Sequence, residues 1–428
     1  MKTLSKLSHL PFFLVFIKYD YFPIVAVLFI VLQYKGLLKI EISKFFLKIY
    51  FLLFLILRFF SGFDLRIDSL WVQLSQKNYS LSGKFIDIQS VFWAINCNAA
   101  ENGEYSVIGM NQVMNCPHTV SYGPLFEVLG FKNNPAISTF VFVLLIFTLI
   151  YLYYEDVLES LSDKYIYIFT LFLMSPPVNF VIERMNFDIF IFVSIYLIYK
   201  KINNNFLRNS LIFILALLKY YPIFLILGSF LFNSITKNYK SIKNDIFFLG
   251  LSLVSYLYVM NENFALNQPV RPFRPDRTFG LLSEAINFQN AFQYDVKITY
   301  FGLLLLLLIF IFIVRRVFSY SGIFENEFSH NLLIMFFCLS MFANYDYRLA
   351  FMVMVIPLMF SIPNKFLFYS ILLFLFSSPG TMHSYGNLIQ IIENYFIIYI
   401  DIPFYFLLAT LLIEYFQFLK SNLDKLKK

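Results

Sequence analysis

Apolar segments long enough to cross or nearly cross a bilayer follow one another along almost the whole chain. They fall near 20–34, 45–62, 136–154, 163–178, 187–200, 209–219, 221–232, 244–260, 298–314, 330–343, 346–361, 365–378 and 395–418. Because lipid offers no partner to an open backbone N–H or C=O group, each segment is expected to be a helix. The pattern predicts an all-α polytopic membrane protein with about thirteen transmembrane or half-spanning helices.

The composition agrees with this class of protein. Of the 428 residues, 59% are hydrophobic and 14% are charged, whereas about a quarter of the residues of a soluble domain are charged. The net charge of +7 does not indicate a nucleic-acid partner, because Lys and Arg mark the cytoplasmic loops of membrane proteins. Membrane lipids are therefore the expected surroundings of the chain.

Basic residues between the apolar segments predict the orientation. They cluster at 35–48, 200–208, 237–243, 315–316 and 420–428, and alternation of the spans places all of these clusters on one face, which is the cytoplasmic face. The other face receives two long loops, 63–135 and 261–297, which have no low complexity, repeats or linker composition. We expect residues 1–428 to form a single multi-pass domain of the inner (plasma) membrane with structured external loops.

Six polar clusters fall on the external face. They are Asp87, ERMNFD (183–188), KYYP (219–222), RPFRPDR (271–277), NYDYR (344–348) and SSPGTMHSYG (377–386). Charges at membrane depth are costly and usually face a water-filled cavity. The clusters predict an externally open cavity lined by Asp87, Glu183, Arg184, Asp188, Lys219, Arg277, Asp346, Arg348 and His383. A local role stays open for each residue: Arg184 could pair with Asp188, and Asp346 with Arg348 could fix a turn.

The order of these motifs resembles the GT-C superfamily of polytopic glycosyltransferases. It is most similar to the branch of polyprenyl-phosphate-mannose-dependent alpha-mannosyltransferases. The matches are Asp87, Tyr122-Gly123-Pro124-Leu125, Arg184-Met185-Asn186-Phe187-Asp188, Lys219-Tyr220-Tyr221-Pro222 and Tyr347-Arg348, and they extend over most of the chain. Two features depart from the family: a Gly replaces the more usual Pro in SYGPL, and two apolar segments rather than one precede the Asp.

The resemblance implies transfer of a hexose, of mannose type, from a polyprenyl-phosphate-sugar donor to a glycan or lipid acceptor on the extracytoplasmic face. Asp87 would be the general base, because an acceptor hydroxyl is a poor nucleophile until a carboxylate takes its proton. The leaving group is a phosphate, which needs cationic donors. The residues implied to bind the donor phosphate or the sugar are Arg184, Asn186, Asp188, Lys219, Tyr221, Arg277, Tyr347 and Arg348.

Two other functions stay open, namely a transporter or flippase of polyprenyl-linked glycans and an O-antigen-type polymerase. Transporters often have internal repeats and carry polar groups toward both faces, whereas this sequence has no internal repeat and its polar clusters share one face. Cys97 and Cys116 lie in the 63–135 loop and could form a disulfide on an oxidising face. The sequence has no Gly-rich phosphate loop, CxxC pair or HExxH motif, so it predicts neither a cofactor nor a metal site. A weak metal site stays open at Asp64 and Asp68, which share a helical face.

Overall fold

The computed structural model describes most of the chain from residue 135 to residue 345 and short parts on either side. The described ranges are 44–62, 104–106, 113–115, 135–162, 185–265, 278–279, 295–315, 322–341, 344–345 and 408–424, with isolated positions at 28, 88, 125, 165, 166, 169, 173, 182 and 286. These residues are predominantly helical, which confirms the helical class predicted from the apolar segments.

Nine helices lie within the described residues, and each overlaps one of the predicted apolar segments. They are α1 Lys44–Gly62, α2 Pro135–Ser160, α3 Phe187–Lys201, α4 Asn205–Leu218, α5 Ile223–Ile235, α6 Tyr239–Ala265, α7 Val296–Val314, α8 Glu327–Met341 and α9, residues 408–424. A short 3-10 turn, Ile323–Glu325, precedes α8. The predicted segments near 20–34, 163–178, 346–361 and 365–378 lie largely or wholly outside the described residues.

Two short antiparallel strand pairs accompany the helices, and the all-α prediction did not include them. Strand β1 (Glu104–Ser106) pairs with β2 (Val113–Asn115), and β3 (Thr278–Phe279) pairs with β4 (Asn344–Tyr345). All four strands lie in segments predicted to be external loops or turns. Backbone outside lipid is not restricted to helices and closed barrels, so these loops can pair locally.

The described helices differ in how well they match a membrane span. Ile137–Ser160 is long and apolar enough to cross a membrane, with a mean hydropathy of 2.2. The apolar helices Asn205–Leu218, Ile223–Ile235, Val296–Ile309 and Glu327–Met341 are shorter. Large apolar side chains are exposed on several helices, for example Leu144 on α2, Leu253 on α6 and Phe301 on α7. The described helices therefore present an apolar outer surface.

Ion pairs bring several helix termini together at one end of the structure. Lys48 near the start of α1 contacts Glu155 (2.7 Å) and Glu159 (2.8 Å) near the end of α2. Lys201 at the end of α3 contacts Asp156 of α2 at 2.8 Å. Arg208 near the start of α4 pairs with Glu327 at the start of α8. These termini belong to or adjoin the predicted basic loops, and we call this end the basic end.

The remaining termini of the same helices meet at the opposite end. The predicted hairpin at KYYP is present, because α4 ends at Leu218 and α5 begins at Ile223. The hydroxyl of Tyr256 on α6 donates to the carbonyl of Ala216 near the end of α4. The hydroxyl of Tyr300 near the start of α7 donates to the carbonyl of Met341 at the end of α8, at 3.4 Å. The helices thus alternate in direction between the two ends.

Helices α5 and α8 approach closely at Gly228, and this contact predicts a stability effect. A Cβ atom at Gly228 would lie 2.7 Å from Cα of Asn331, so we expect Gly228→Ala to destabilise the protein by about 1–3 kcal/mol through overpacking. The matched control is Gly250→Ala on α6, where a Cβ would meet nothing within 4 Å. That variant should be neutral or more stable by about 0.5–1 kcal/mol. Thermal unfolding in detergent measures both, and equal melting temperatures would contradict the close approach.

Candidate functional site: two buried polar clusters

The last four residues of the ERMNFD motif, 185–188, lead into helix α3. Met185 has a left-handed φ of 49°, which is uncommon for a residue other than Gly, Asn or Asp. Asn186 then caps the helix, since its side-chain oxygen accepts from the backbone N–H of Asp188 at 2.9 Å. Asn is among the preferred N-cap residues because it satisfies one of the free N–H groups of the first turn. The cap places the carboxylate of Asp188 inside the structure, where it is 0% exposed.

The KYYP motif forms the turn between α4 and α5. Lys219 follows α4 as its C-cap residue in an extended conformation, and Pro222 caps α5 with a φ of −58°, the value to which the proline ring restricts it. The turn exposes Tyr220, whereas Lys219 and Tyr221 are buried. Two polar side chains of the same turn therefore point into the protein.

These two motifs meet in a cluster formed by Asn186, Asp188, Lys219 and Tyr221, which we call the Asp188 cluster. Nζ of Lys219 lies 2.6 Å from Oδ1 of Asp188, and the hydroxyl of Tyr221 donates to the same oxygen at 2.7 Å. Nζ of Lys219 also lies 3.5 Å from Oδ1 of Asn186. The cluster lies at the end opposite the basic end. It joins two motifs whose nearest members, Asp188 and Lys219, are 31 positions apart in the sequence.

The geometry of the Asp188 cluster limits its chemistry. Burying an ion pair is tolerated only with close geometry and further hydrogen bonds, and the phenol of Tyr221 supplies one such bond. Because Asp188 already neutralises Lys219, a donor phosphate would meet an ammonium group that has a carboxylate partner. The arrangement therefore favours an orienting role for this pair, which fixes the ERMNFD turn against the KYYP turn.

The other predicted site residues lie outside the described residues. They are Asp87, Glu183, Arg184, Arg277, Asp346, Tyr347, Arg348 and His383, together with the predicted disulfide partners Cys97 and Cys116. One described contact nevertheless joins two of their segments. In the β3–β4 pair, Thr278 lies opposite Tyr345 and Phe279 opposite Asn344. Arg277 directly precedes β3, and NYDYR begins with β4, so this pairing links the RPFRPDR loop to NYDYR.

A second buried polar cluster, which the sequence analysis missed, surrounds Asp245 near the basic end. The carboxylate of Asp245 on α6 is 0% exposed. Its Oδ1 accepts from Nδ2 of Asn209 on α4 at 2.6 Å and from Oγ of Ser229 on α5 at 3.1 Å, and its Oδ2 accepts from Nδ2 of Asn233 at 2.8 Å. Three neutral donors from two other helices thus converge on one buried carboxylate.

Arg208 and Glu327 extend this cluster toward solvent. Arg208 donates to Glu327 and to the side-chain oxygen of Asn205, and its guanidinium lies 4.9 Å from the ring centroid of Tyr199 on α3. The hydroxyl of Tyr199 accepts from Nδ2 of Asn331 on α8 at 2.8 Å. Ser229 links the Asp245 side of the cluster to the Arg208–Glu327 pair. Its hydroxyl lies 3.1 Å from Oδ1 of Asp245 and 3.1 Å from Oε1 of Glu327. We call the whole set the Asp245 cluster.

The spacing of polar residues in the sequence is the signal that could have revealed this cluster. Helices α4, α5 and α6 each carry a polar pair four residues apart: Asn205 and Asn209, Ser229 and Asn233, Ser241 and Asp245. Residues at this spacing share one helix face. The first and third pairs contact each other directly, since Asn205 donates to Ser241 at 2.7 Å and Asn209 to Asp245.

Neither known proteins nor the described side chains indicate a bound group. Comparison of the chain with family models, with curated proteins and with solved structures finds no match in any of the three. Within the ranges that the structure describes, no group of three or more His, Cys, Asp or Glu residues could hold a metal ion. The functional argument therefore rests on the two clusters and on the sequence motifs.

Proposed function

We propose that this chain is a polytopic membrane hexosyltransferase of the GT-C type. It transfers a hexose of mannose type from a polyprenyl-phosphate donor to a glycan or lipid acceptor at the extracytoplasmic face of the plasma membrane. The observation that carries the proposal is the Asp188 cluster, in which the ERMNFD and KYYP motifs meet at the end opposite the basic end. These are two of the motifs in which the sequence resembles that superfamily.

The distribution of polar and apolar side chains supports a membrane location. The described helices expose large apolar residues and bury charged ones, including Asp188, Lys219 and Asp245. Extensive apolar surface is rare on soluble monomers, and buried ionisable groups in membrane proteins face the interior of the helix bundle. The basic end then lies in the cytoplasm, and the Asp188 cluster lies near the other side. The full set of about thirteen spans belongs to this proposal.

In the proposed reaction, each group of residues has a separate task. The carboxylate of Asp87 takes the proton of the acceptor hydroxyl as its oxygen attacks the anomeric carbon. Polyprenyl phosphate leaves, and the arginines Arg184, Arg277 and Arg348 stabilise its charge with bidentate hydrogen bonds. The β3–β4 pair supports a shared site for Arg277 and Arg348, because it joins the two segments that carry them. The Asp188 cluster fixes Asn186 and Asp188, which follow Arg184 closely in the sequence.

The proposal is tested by a transfer assay with the purified full chain in lipid. Radiolabelled polyprenyl-phosphate hexoses are supplied together with glycan and lipid acceptors, and we expect label to move from the donor to an acceptor. Parallel reactions with nucleotide sugars serve as the control and should give no product. Transfer from nucleotide sugars, or no transfer from any of the lipid-linked hexoses, would overturn the assignment.

A transporter or flippase of polyprenyl-linked glycans is the second candidate, and the Asp245 cluster favours it. Transport across the membrane needs polar groups on both sides of the bundle, and this cluster adds a buried polar set near the basic end to the Asp188 cluster at the other. The same lipid vesicles separate the two functions. A transporter would move a labelled lipid-linked glycan between leaflets without changing it covalently, whereas the transferase would form a new glycosidic bond.

A further inference from the structure

The Asp245 cluster contains two carboxyl groups and one guanidinium. Arg208 is paired directly with Glu327 and reaches Asp245 only through a longer electrostatic interaction. The hydrogen-bond partners of Asp245 on the neighbouring helices, Asn209, Ser229 and Asn233, are neutral. A buried carboxylate without a directly paired cation costs several kcal/mol, whereas a neutral carboxylic acid with hydrogen bonds avoids that cost. The charge balance therefore favours one additional proton in the cluster.

The hydrogen bonds of Ser229 lead to the same conclusion. Its hydroxyl has a single hydrogen, yet Oγ lies 3.1 Å from Oδ1 of Asp245 and 3.1 Å from Oε1 of Glu327. Nδ2 of Asn233 already donates to Oγ at 3.2 Å. If both carboxyl groups were ionised, one of the two carboxyl contacts would join two acceptors with no hydrogen between them. With a proton on Asp245, its O–H donates to Ser229 and the Ser229 hydroxyl donates to Glu327.

We propose that Asp245 binds one exchangeable proton and reaches the solution through Ser229. The Ser229 hydroxyl also contacts Glu327, whose side chain is 24% exposed, whereas Asp245 is fully buried. A proton from the solution at the basic end adds to Oγ of Ser229 while the original Ser229 hydrogen moves to Oδ1 of Asp245, so that no bond other than O–H bonds is made or broken. Release follows the reverse path.

The other charged or titratable groups near this path are few among the described residues. Arg208 of α4 and Tyr199 of α3 interact electrostatically with Asp245, and α5 contributes the neutral pair Ser229 and Asn233. On α8, His330 lies three residues after Glu327. Its ring packs against Phe232 and the aromatic rings of α9. The proton is therefore assigned to the carboxyl group of Asp245. The site is independent of whether the chain transfers or transports a glycan.

Infrared spectroscopy of the full chain in lipid tests this site at neutral pH. A protonated carboxyl group has a C=O stretching band that shifts when H2O is replaced by D2O. We expect this band in the wild-type protein and its loss in Asp245→Asn, whereas Asp424→Asn, at the exposed end of α9, keeps it. If the wild-type protein lacks the band, the proposal is overturned. If the band keeps its full intensity in Asp245→Asn, the proposal is overturned as well.

A second variant tests the path through Ser229. Ser229→Ala removes the hydroxyl and keeps both carboxyl groups, so the band should remain while its shift in D2O develops more slowly than in the wild-type protein. The control is Ser255→Ala on α6, since the Ser255 hydroxyl donates only to the backbone carbonyl of Leu251 in its own helix. An unchanged exchange rate in Ser229→Ala overturns the relay.

Discussion

Replacing Lys219 with Met should destabilise the protein by about 3–5 kcal/mol, the cost of breaking a buried ion pair by removing one partner. The carboxylate of Asp188 is 0% exposed and lies 2.6 Å from the ammonium group of Lys219. Without that group, the buried carboxylate loses the cation that lies 2.6 Å away, and the hydrogen bond from Tyr221 brings no positive charge to replace it. The free energy of unfolding in detergent is the measurement, because the effect predicted here is on stability rather than on activity alone.

The control for this variant is Lys48→Met at the basic end. Lys48 also has close carboxylate partners, Glu155 and Glu159, but their side chains are 37% and 65% exposed. Exposed ion pairs contribute about 0–1 kcal/mol, so Lys48→Met should change stability little. The double variant Asp188→Leu with Lys219→Met removes both buried charges and should recover most of the loss. If Lys219→Met is no more harmful than Lys48→Met, the Asp188 cluster does not anchor the two turns.

The sequence predicted which end of the bundle carries Asp188 and Lys219, but not that they touch. Alternation of basic loops assigns each motif to a face, and that reasoning needs only the order of the segments. A distance of 2.6 Å depends on the rotation of α3 and on the conformation of the KYYP turn. Both depend on the packing of one helix against another, and the periodicity within a single segment does not contain that information.

Asp245 was missed for a different physical reason. Averaging hydropathy over a long window hides a single carboxylate among apolar neighbours, as in NDIFFLG around Asp245. Glu327 was not considered because the predicted apolar segment 330–343 begins three residues after it. The four-residue spacing of polar side chains on α4, α5 and α6 carried the information, because it marks one face of each helix. Looking for polar faces within apolar helices would therefore have found the Asp245 cluster before the structure did.

The β3–β4 pair could not be predicted from the sequence at all. Each strand has two residues, which is too short for an alternating pattern, and Thr278 and Tyr345 belong to different external segments. The strand pair matters for function because it joins two segments that are far apart in the sequence. It pairs Thr278 and Phe279, which follow Arg277 in the sequence, with Asn344 and Tyr345, which precede Arg348, so Arg277 and Arg348 can be tested together as parts of the proposed donor site.

Changing Asp87 to Asn should reduce turnover in the transfer assay by at least about 10²-fold, the lower end of the effect of a general base. Asparagine keeps the size of the side chain and cannot accept the proton of an acceptor hydroxyl. The melting temperature should match that of the wild-type protein, because the proposed role is chemical. Asp424→Asn, an exposed change at the other end of the sequence, is the control and should retain full activity.

Comparison with Asp188→Asn decides which carboxylate acts as the base. Asp188 is buried and already bound to Lys219 and Tyr221, so its replacement should lower both stability and turnover, whereas replacement of Asp87 should lower turnover alone. Near-normal turnover in Asp87→Asn would remove the base from the proposed mechanism. If Asp188→Asn were then inactive at unchanged stability, the proton acceptor would be Asp188, and the Asp188 cluster would be the catalytic centre instead of the support of a neighbouring one.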